Sequence, residues 1–448
     1  MPWLSSSRIP PSMHKKSIRR LAQLHGWWTC HSFLRRTSAY SEDRRQAWIH
    51  RQLQHTLVTA YLGTRYYAEV FKGIGFDPRT DFTGPETLTR LPLLTKEIIR
   101  ERFHDLINPR YRRFSAQAET SGTTGMPMRM LLNESYIALD YACMYQMWSQ
   151  AGYRFRDRFL ALRSYVPSRA EDSLWMHDQV QNTLFMSAYH FSPGTAAQYM
   201  QAITSFQPKF IRSYPSSLLV LAGYLERTGQ SLPSVKGVFT ASETLLPHER
   251  EVIQCVFGPI LFDWYGMTEP TLVAYEGTDH DGLNIVWQYG HPEFIPDATL
   301  APGDCRLIAT SLHNPVMPFI RYDTGDIITP HPLVPLGEPY PRKIARVQGR
   351  KDDVILTPDG RQLPSVNFYT VFRAVPGVVR FQIVQSGAAN IVVNIESTAE
   401  GFDRHPAFLQ VQEELRSRFG PDMQVAYRLN QNFETNADGK TPVVLRRF

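Results

Sequence analysis

Apolar and polar positions follow a helical rhythm through the first part of this chain. Residues 41–80 carry that spacing, with few breakers before Gly73. It returns over 133–151 and stops at Gly152. Between the two lies "LPLLTKEIIRERF", where Thr95 is placed to cap a helix opening with Lys96 and Glu97. A different rhythm spans 209–266. "KFIRSY" reads as a short buried strand, and Pro215 then opens "PSSLLVLAGYLERTG", a helix with proline in its first turn and Gly229 beyond its end. "VKGVFTASE" is the next strand, "PHEREVIQCVFG" the next helix and "PILFDWYG" a third strand. This alternation predicts parallel strands joined by crossover helices. Ligands of such sheets sit beyond the carboxyl ends of the strands. Ser213 and Tyr214, Ser242 and Glu243, and Tyr265, Thr268 and Glu269 fall at those ends.

The rhythm changes again over 282–328, where "LNIVWQY", "CRLIATSL" and "PFIRYDTGDII" read as short strands of a mainly β subdomain. "TPHPLVPLGEPYPRK" has five prolines in fifteen residues and is a loop. Beyond it, "VVRFQIVQ" and "NIVVNIES" are strands, and "HPAFLQVQEELRSRFG" is a helix ended by Gly420. The expected fold class is α/β. A large N-terminal domain of mixed and parallel sheets flanked by helices, with a β subdomain, precedes a small α+β C-terminal domain. The expected boundaries are a basic helical extension over 1–60, a large domain over 61–348, a hinge over 349–352 and a small domain over 353–448.

Composition narrows the classes. A length of 448 residues with 43% hydrophobic and 12% aromatic content is that of a globular protein with a sizeable core. No run of 18 apolar residues occurs, so no membrane span is expected. The first twenty residues lack the apolar stretch of a secretory signal. Cys30, Cys143, Cys255 and Cys305 are widely spaced and make neither a zinc motif nor a disulfide frame, which fits a cytoplasmic location. Nine Lys/Arg against Glu42 and Asp43 put +7 on residues 1–50, leaving −1 on the rest of a chain whose net charge is +6. The arm is read as a solvated helical extension packed by its aromatics, and the near-neutral body argues against nucleic acid as the partner. Whether the chain is a monomer or a homodimer is not legible.

Four stretches carry candidate chemistry. In "ETSGTTGMP", small residues let backbone N–H groups approach phosphate oxygens and the hydroxyls add donors; a polar surface turn is the competing reading. The loop lacks the Gly-Lys-Ser/Thr of a Walker A motif. In "FDWYGMTEP", Tyr265 offers a flat ring for a base, Gly266 permits a turn, and Thr268 and Glu269 offer oxygens to a hard cation such as Mg²⁺. In "RYDTGD", Asp326 suits a ribose diol, against a plain Asp-Gly turn. In "QGRKDDVI", Arg350 suits a phosphate or sugar and Asp352 falls in the hinge, against a charged linker. Lys440, in "ADGKTPVVLRR", is by itself an ordinary exposed lysine.

Taken in order, "TSGTTGMP", "SYPSSL", "ASETL", "DWYGMTEP", "RYDTGD", "GRKDD" and "DGK" make the chain resemble the adenylate-forming superfamily of acyl-CoA synthetases, from about residue 90 to Lys440. It is most similar to the branch of phenylacetate-CoA ligase, coenzyme F390 synthetase and CapK-like proteins. The resemblance implies two steps. A carboxylate attacks the α-phosphate of Mg-ATP to give acyl-AMP and pyrophosphate, and a nucleophile, usually the coenzyme A thiol, then displaces AMP. It further implies that Ser121, Gly122, Thr123, Thr124 and Gly125 hold the β- and γ-phosphates, while Ser242, Glu243 and Tyr265 frame the adenine. Thr268 meets the α-phosphate, Glu269 holds Mg²⁺, Asp326 binds the ribose with Arg350 beside it, and Asp352 is the hinge. Lys440, on a mobile C-terminal domain, stabilises charge between carboxylate and α-phosphate.

The chain departs from the family pattern in two places. Many members carry a lysine in the phosphate loop where this chain reads Met126-Pro127-Met128-Arg129, and the stretch after "GRKDD" is "VILTPDGRQLPSV" rather than glycine-rich. Candidate linings of the acyl pocket are Tyr141, Tyr145, Met147 and Trp148 with Tyr189, His190 and Tyr214, although such a stripe at helical spacing is also the ordinary pattern of a core helix. An aromatic acid is the preferred substrate, on resemblance alone. The alternatives are an amine acceptor giving an amide, transfer of AMP to a cofactor, and a non-catalytic nucleotide-binding protein.

Overall fold

The computed structural model describes residues 26–120, 128–163, 165, 173–188, 191, 195–245, 247–298, 300, 302–348, 354–359, 362–364, 368, 371–372, 375, 378–397, 399, 401–431, 433–434 and 443–448. The expected helix over 41–80 is two helices, Glu42–Gly63 and Arg65–Gly73. Thr64, in extended conformation, ends the first by donating its backbone N–H to Ala60 and caps the second by accepting from the Tyr67 N–H. Thr95 caps a short helix, Lys96–Glu101, as its position predicted. Strands β1 (Ser115–Thr120) and β2 (Met128–Asn133) form an antiparallel pair that brings Thr120 opposite Met128, and the helix Glu134–Gln150 follows.

Twelve strands form one mixed sheet. The first six are β3 (Phe159–Arg163), β4 (Trp175–Asp178), β5 (Thr183–Ser187), β6 (Phe210–Ser213), β7 (Gly237–Ala241) and β8 (Leu261–Gly266). The rest are β9 (Val273–Glu276), β10 (Leu283–Ile285), β11 (Gly290–Pro296), β12 (Cys305–Ser311), β13 (Tyr322–Pro330) and β14 (Lys343–Val347). Their order is β11-β12-β13-β14-β10-β9-β8-β7-β6-β3-β5-β4. Strands β5, β3, β6, β7 and β8 are parallel. The crossover helices Pro215–Thr228 and Pro247–Phe257 lie where the proline and glycine punctuation put them, with Gly229 and Gly258 at φ 65° and 78° just beyond their ends. The strands of 282–328 continue the same sheet antiparallel rather than forming a second one.

Residues alternate between the two faces of β3, β5, β6 and β7. Leu160, Leu162, Leu184, Met186, Ile211 and Val238 share a buried cluster with the helices Ala196–Phe206, Pro215–Thr228 and Pro247–Phe257. Phe159, Phe210 and Phe239 point the other way and pack with Leu139, Cys143 and Trp148 of Glu134–Gln150. Leu34, Ile49, Leu53 and Leu57 belong to that second cluster, so the helical residues 26–37 and the helix Glu42–Gly63 pack into the body of the protein. Of the neighbouring tryptophans, Trp27 stacks on His31 while Trp28 is 62% exposed.

A smaller unit completes the chain. It contains β15 (Val354–Leu356), β16 (Gln362–Pro364), β17 (Val378–Gly387), β18 (Asn390–Ser397), the helix Pro406–Phe419, β19 (Gln424–Leu429) and β20 (Val444–Arg446). Its four-stranded sheet runs β19-β18-β17-β20, and its buried residues, from Ile355 to Val444, form a cluster of their own. Among the described residues, no helix is long and apolar enough to cross a membrane.

Candidate active site

The carboxyl ends of β6, β7 and β8 carry the residues that the alternation placed there. Tyr214 follows β6 and is 2% exposed. Ser242 follows β7 at φ 72°, a left-handed conformation that a side chain with a Cβ rarely adopts. Such backbone is held only when its surroundings dictate it, and it concentrates at working sites. Here the Ser242 hydroxyl accepts a hydrogen bond of 2.6 Å from the Arg163 guanidinium at the end of β3. That guanidinium also lies over the Tyr214 ring, 4.8 Å from its centroid. Glu243 is half-buried in the same turn.

Strand β8 ends in Tyr265 and Gly266, both half-buried, and the chain then turns through 267–271. Thr268 is exposed on this turn and Glu269 is buried beneath it. The turn packs closely against β11. A Cβ on Gly290 would stand 1.5 Å from the Thr271 carbonyl oxygen, so only glycine lets the two backbones meet.

Two long-range hydrogen bonds connect this turn to β13. The Tyr265 hydroxyl donates to Asp326 Oδ2 at 2.7 Å, and the Tyr322 hydroxyl donates to Glu269 Oε1 at 2.7 Å. Strands β8 and β13 are four places apart in the sheet order, roughly 19 Å if the sheet were flat. The contacts therefore require the sheet to curl over, bringing the "WYGMTE" and "YDTGD" stretches together.

Asp326 is aimed by a bulge rather than by a simple Asp-Gly turn. Ile308 pairs with Asp323 and Arg306 with Ile327, so Thr324, Gly325 and Asp326 face the single residue Leu307. Gly325 takes φ 74°, and the Thr324 hydroxyl accepts from the Asp326 N–H at 3.1 Å while donating to the Leu307 carbonyl at 2.7 Å. The strand is braced from outside by "LPLL", because the Leu94 N–H donates to Arg321 O and the Asp323 N–H to Leu94 O.

Behind Glu269 lies a run of buried phenols. The hydroxyls of Tyr136 and Tyr289 are hydrogen-bonded, and Tyr289 donates to Asp140 Oδ1 at 3.1 Å. Burial pushes the Asp140 carboxyl up to about 6.

The face of β3, β5 and β6 that meets Glu134–Gln150 encloses a small cavity of about 20 Å³, room for one water. Its walls include Tyr141, Trp148, Gln181, Thr183, Phe185 and Arg212. Tyr141 and Trp148 were expected at an acyl pocket. Tyr145, another of those candidates, packs edge-on against Trp27 and His31, and Met147 is buried in the core. Arg163 and Arg212 were missed from the sequence. The signal was present, since each interrupts an otherwise apolar strand, "FLALR" and "FIRS". Ser121 to Gly125, Tyr189, His190, Arg350, Asp352 and Lys440 lie outside the described residues. β1 ends at Thr120 and β2 begins at Met128, and the two strands are paired.

Comparison with known proteins adds three findings. A family model described as the CapK C-terminal domain matches residues 355–447. Protein CapK of Staphylococcus aureus is 22% identical over 395 residues, covering 84% of each chain, and a phenylacetate-coenzyme A ligase of Pseudomonas putida is 28% identical over 322 residues, covering 68% of this chain and 70% of that one. Among solved structures, 2-hydroxyisobutyryl-CoA ligase in complex with 2-HIB-AMP and CoA has the same fold, with a TM-score of 0.58 at 19% identity over 91% of each chain.

Proposed function

The chain belongs to the adenylate-forming superfamily, in the branch that holds phenylacetate-CoA ligase and CapK-like proteins, and from that premise we propose that it activates a carboxylic acid with ATP and passes the acyl group to a thiol, that of coenzyme A. The observation that carries this reading is the pairing of Tyr265 with Asp326 and of Glu269 with Tyr322 at one point of the curled sheet. A base-stacking ring, a diol-binding carboxylate and a cation-binding carboxylate are what a ribonucleoside triphosphate requires of a protein.

Each residue then has a part. Tyr265 presents its ring to the adenine, and its hydroxyl fixes the Asp326 carboxylate for the two ribose hydroxyls. Ser242 and Glu243 border the base from the end of β7. The donor set at Glu269 and Thr268 is all oxygen, as a hard cation such as Mg²⁺ prefers. Tyr322 holds one Glu269 oxygen and so orients the other. A magnesium ion bound there supplies positive charge against the phosphate oxygens. Ser121 to Gly125 cradle the β- and γ-phosphates with hydroxyls and backbone N–H groups. Thr268 meets the α-phosphate, Arg350 stands beside the ribose, and Asp352 lies in the hinge over 349–352 before the domain of 353–448.

The reaction consists of positioning and charge. A carboxylate is a poor acyl donor. Held in line with the α-phosphate it displaces pyrophosphate, and the mixed anhydride formed has AMP as a good leaving group. Lys440 stabilises negative charge between the two reactants in that step. The acyl group is proposed to lie on the Glu134–Gln150 face of β3 and β6, below Tyr214.

Exchange of labelled pyrophosphate into ATP, dependent on added carboxylic acid, tests the first step. The mass of the product formed with coenzyme A, and with amines in its place, tests the second. Acid-dependent exchange with thioester formation supports the proposal. Exchange with an amide as the only product would replace the acceptor, and exchange independent of any acid would remove the activation step.

A further inference from the structure

The carboxyl ends of β7, β6 and β3 are neighbours in the sheet, in that order. Register sets Ser213 beside Leu162 and Thr240, so the next residues of the three strands, Arg163, Tyr214 and Ala241, stand in one row with Ser242 one step beyond. β3 and β7 are two places apart, roughly 10 Å. The Arg163 side chain crosses that gap. Its guanidinium lies over the Tyr214 ring, 4.8 Å from the centroid, and its Nη2 donates to Ser242 Oγ at 2.6 Å. One side chain thus ties three strand ends together.

The chemistry of this contact limits what Ser242 can do. The serine stands at φ 72°, where a residue with a Cβ is strained and needs its surroundings to hold it. A planar guanidinium stacked on a ring is already ordered, so it holds the hydroxyl at little further entropic cost. A guanidinium only donates. The Ser242 oxygen is therefore the acceptor in this bond, and its own proton is directed to a second acceptor. A serine without such a partner takes either polarity. The ring nitrogens of adenine are acceptors of the kind this hydroxyl then selects.

We propose that Arg163 is a positioning residue for nucleotide binding. Acting through Ser242, it fixes the turn after β7 and commits the Ser242 hydroxyl to donate to a ring nitrogen of the base. This inference rests on the reading that Ser242 borders the adenine, and it does not depend on which acid is activated.

The test measures the Kd for ATP of the full chain by titration calorimetry, which needs no turnover. Arg163→Met is expected to weaken ATP binding about three- to tenfold. Ser242→Gly, which removes the hydroxyl and adopts φ 72° without strain, is expected to weaken it by a similar factor. The double variant is expected to bind no more weakly than the weaker single variant, because the two residues act as one unit. Arg163→Lys keeps a donor but loses the planar stacking, and is expected to fall between the wild type and Arg163→Met. In pyrophosphate exchange, kcat and the KM for the acid are expected to be unchanged in Arg163→Met. Among 1-, 3- and 7-deaza-ATP, one analogue is expected to bind the wild type more weakly than ATP by the same factor, and to bind Arg163→Met as well as ATP does. If Arg163→Met does not fold, Arg163→Lys completes the same cycle with Ser242→Gly.

Additive losses in the double variant overturn the inference, because the arginine then supports the site without Ser242. So does an unchanged Kd for ATP with a raised KM for the acid, because the guanidinium then meets the acid itself. A wild type that binds all three analogues as tightly as ATP overturns it as well. ATP binding that follows the expected pattern, with no acid supporting exchange, removes acid activation and leaves this inference standing. Folded protein that binds no ATP removes both.

Discussion

The two faces of the central strands differ residue by residue. On one, Leu160, Leu162, Met186, Ile211 and Val238 are sealed under three helices. Polar groups enter that face at the carboxyl ends, where Ser213 and Thr240 are buried and Thr240 donates to Asp263 at 2.7 Å. On the other face, the same strands show Ala161, Arg163 and Arg212, a cavity, and a strained serine tied to one of the arginines. Alternation with period two lets one short strand serve both purposes. The first face is apolar along most of its length, and the face under Glu134–Gln150 is as deeply buried at Phe159, Phe210 and Phe239 but also holds charge and one small cavity. Regions where packing gives way to charge and strain are where a fold keeps its function.

Substitutions can separate the two. The largest expected effect is on the sealed face. Leu162→Ala leaves a hole in a fully buried cluster and is expected to cost about 2–5 kcal/mol of stability, read from denaturant unfolding. The KM for ATP of the protein that stays folded is expected to be unchanged, and a raised KM would mean that the faces are not independent. Lys440→Ala is the converse. It is expected to lower acyl-AMP formation with a barrier increase of about 3 kcal/mol or more at constant Tm, while supplied acyl-AMP still reacts with the thiol. Single-turnover assays of the two half-reactions read this, and equal loss in both would place the lysine elsewhere.

Smaller effects sharpen the picture. Tyr265→Phe keeps the ring and removes the hydroxyl that fixes Asp326, so the KM for ATP is expected to rise roughly three- to tenfold with kcat little changed. The smallest effect is in pH dependence. Asp140, on the helix covering the charged face, has its carboxyl pushed up from 3.8 to about 6 by burial. A raised carboxyl pKa gives stability that is complete below the unfolded value and is lost as pH rises through the folded one. Asp140→Asn is therefore expected to lose less Tm than the wild type between pH 4 and pH 7. Asp263, also raised to about 6, titrates in both proteins and cancels in the difference.

How far the sequence was legible follows from the range of each interaction. The strands and helices of 209–266 were readable because proline and glycine mark their ends locally, at Pro215, Gly229, Pro247 and Gly258. The break at Thr64 was missed although Gly63 stood beside it, since a threonine inside a helical spacing carries only a weak signal. The continuation of the sheet from β8 to β14 was not readable, because strand pairing between distant segments leaves no local mark. The same holds for the bonds from Tyr265 to Asp326 and from Tyr322 to Glu269, which span 61 and 53 residues. The residues themselves stood out by type, and their meeting was implied by the family resemblance alone, not by any local pattern. Arg212 shows a third case. A charge inside a buried strand was visible, but which face it served depended on a register that only the folded sheet supplies.

The most direct test of acid activation follows oxygen. With an acid that supports pyrophosphate exchange, labelled with oxygen-18 in its carboxylate, attack on the α-phosphate carries one labelled oxygen into AMP when the acceptor displaces it. Mass spectrometry of the released AMP is predicted to show that single labelled oxygen. Unlabelled AMP, or label recovered in inorganic phosphate, would contradict the account, because the carboxylate would then not have been joined to the α-phosphorus.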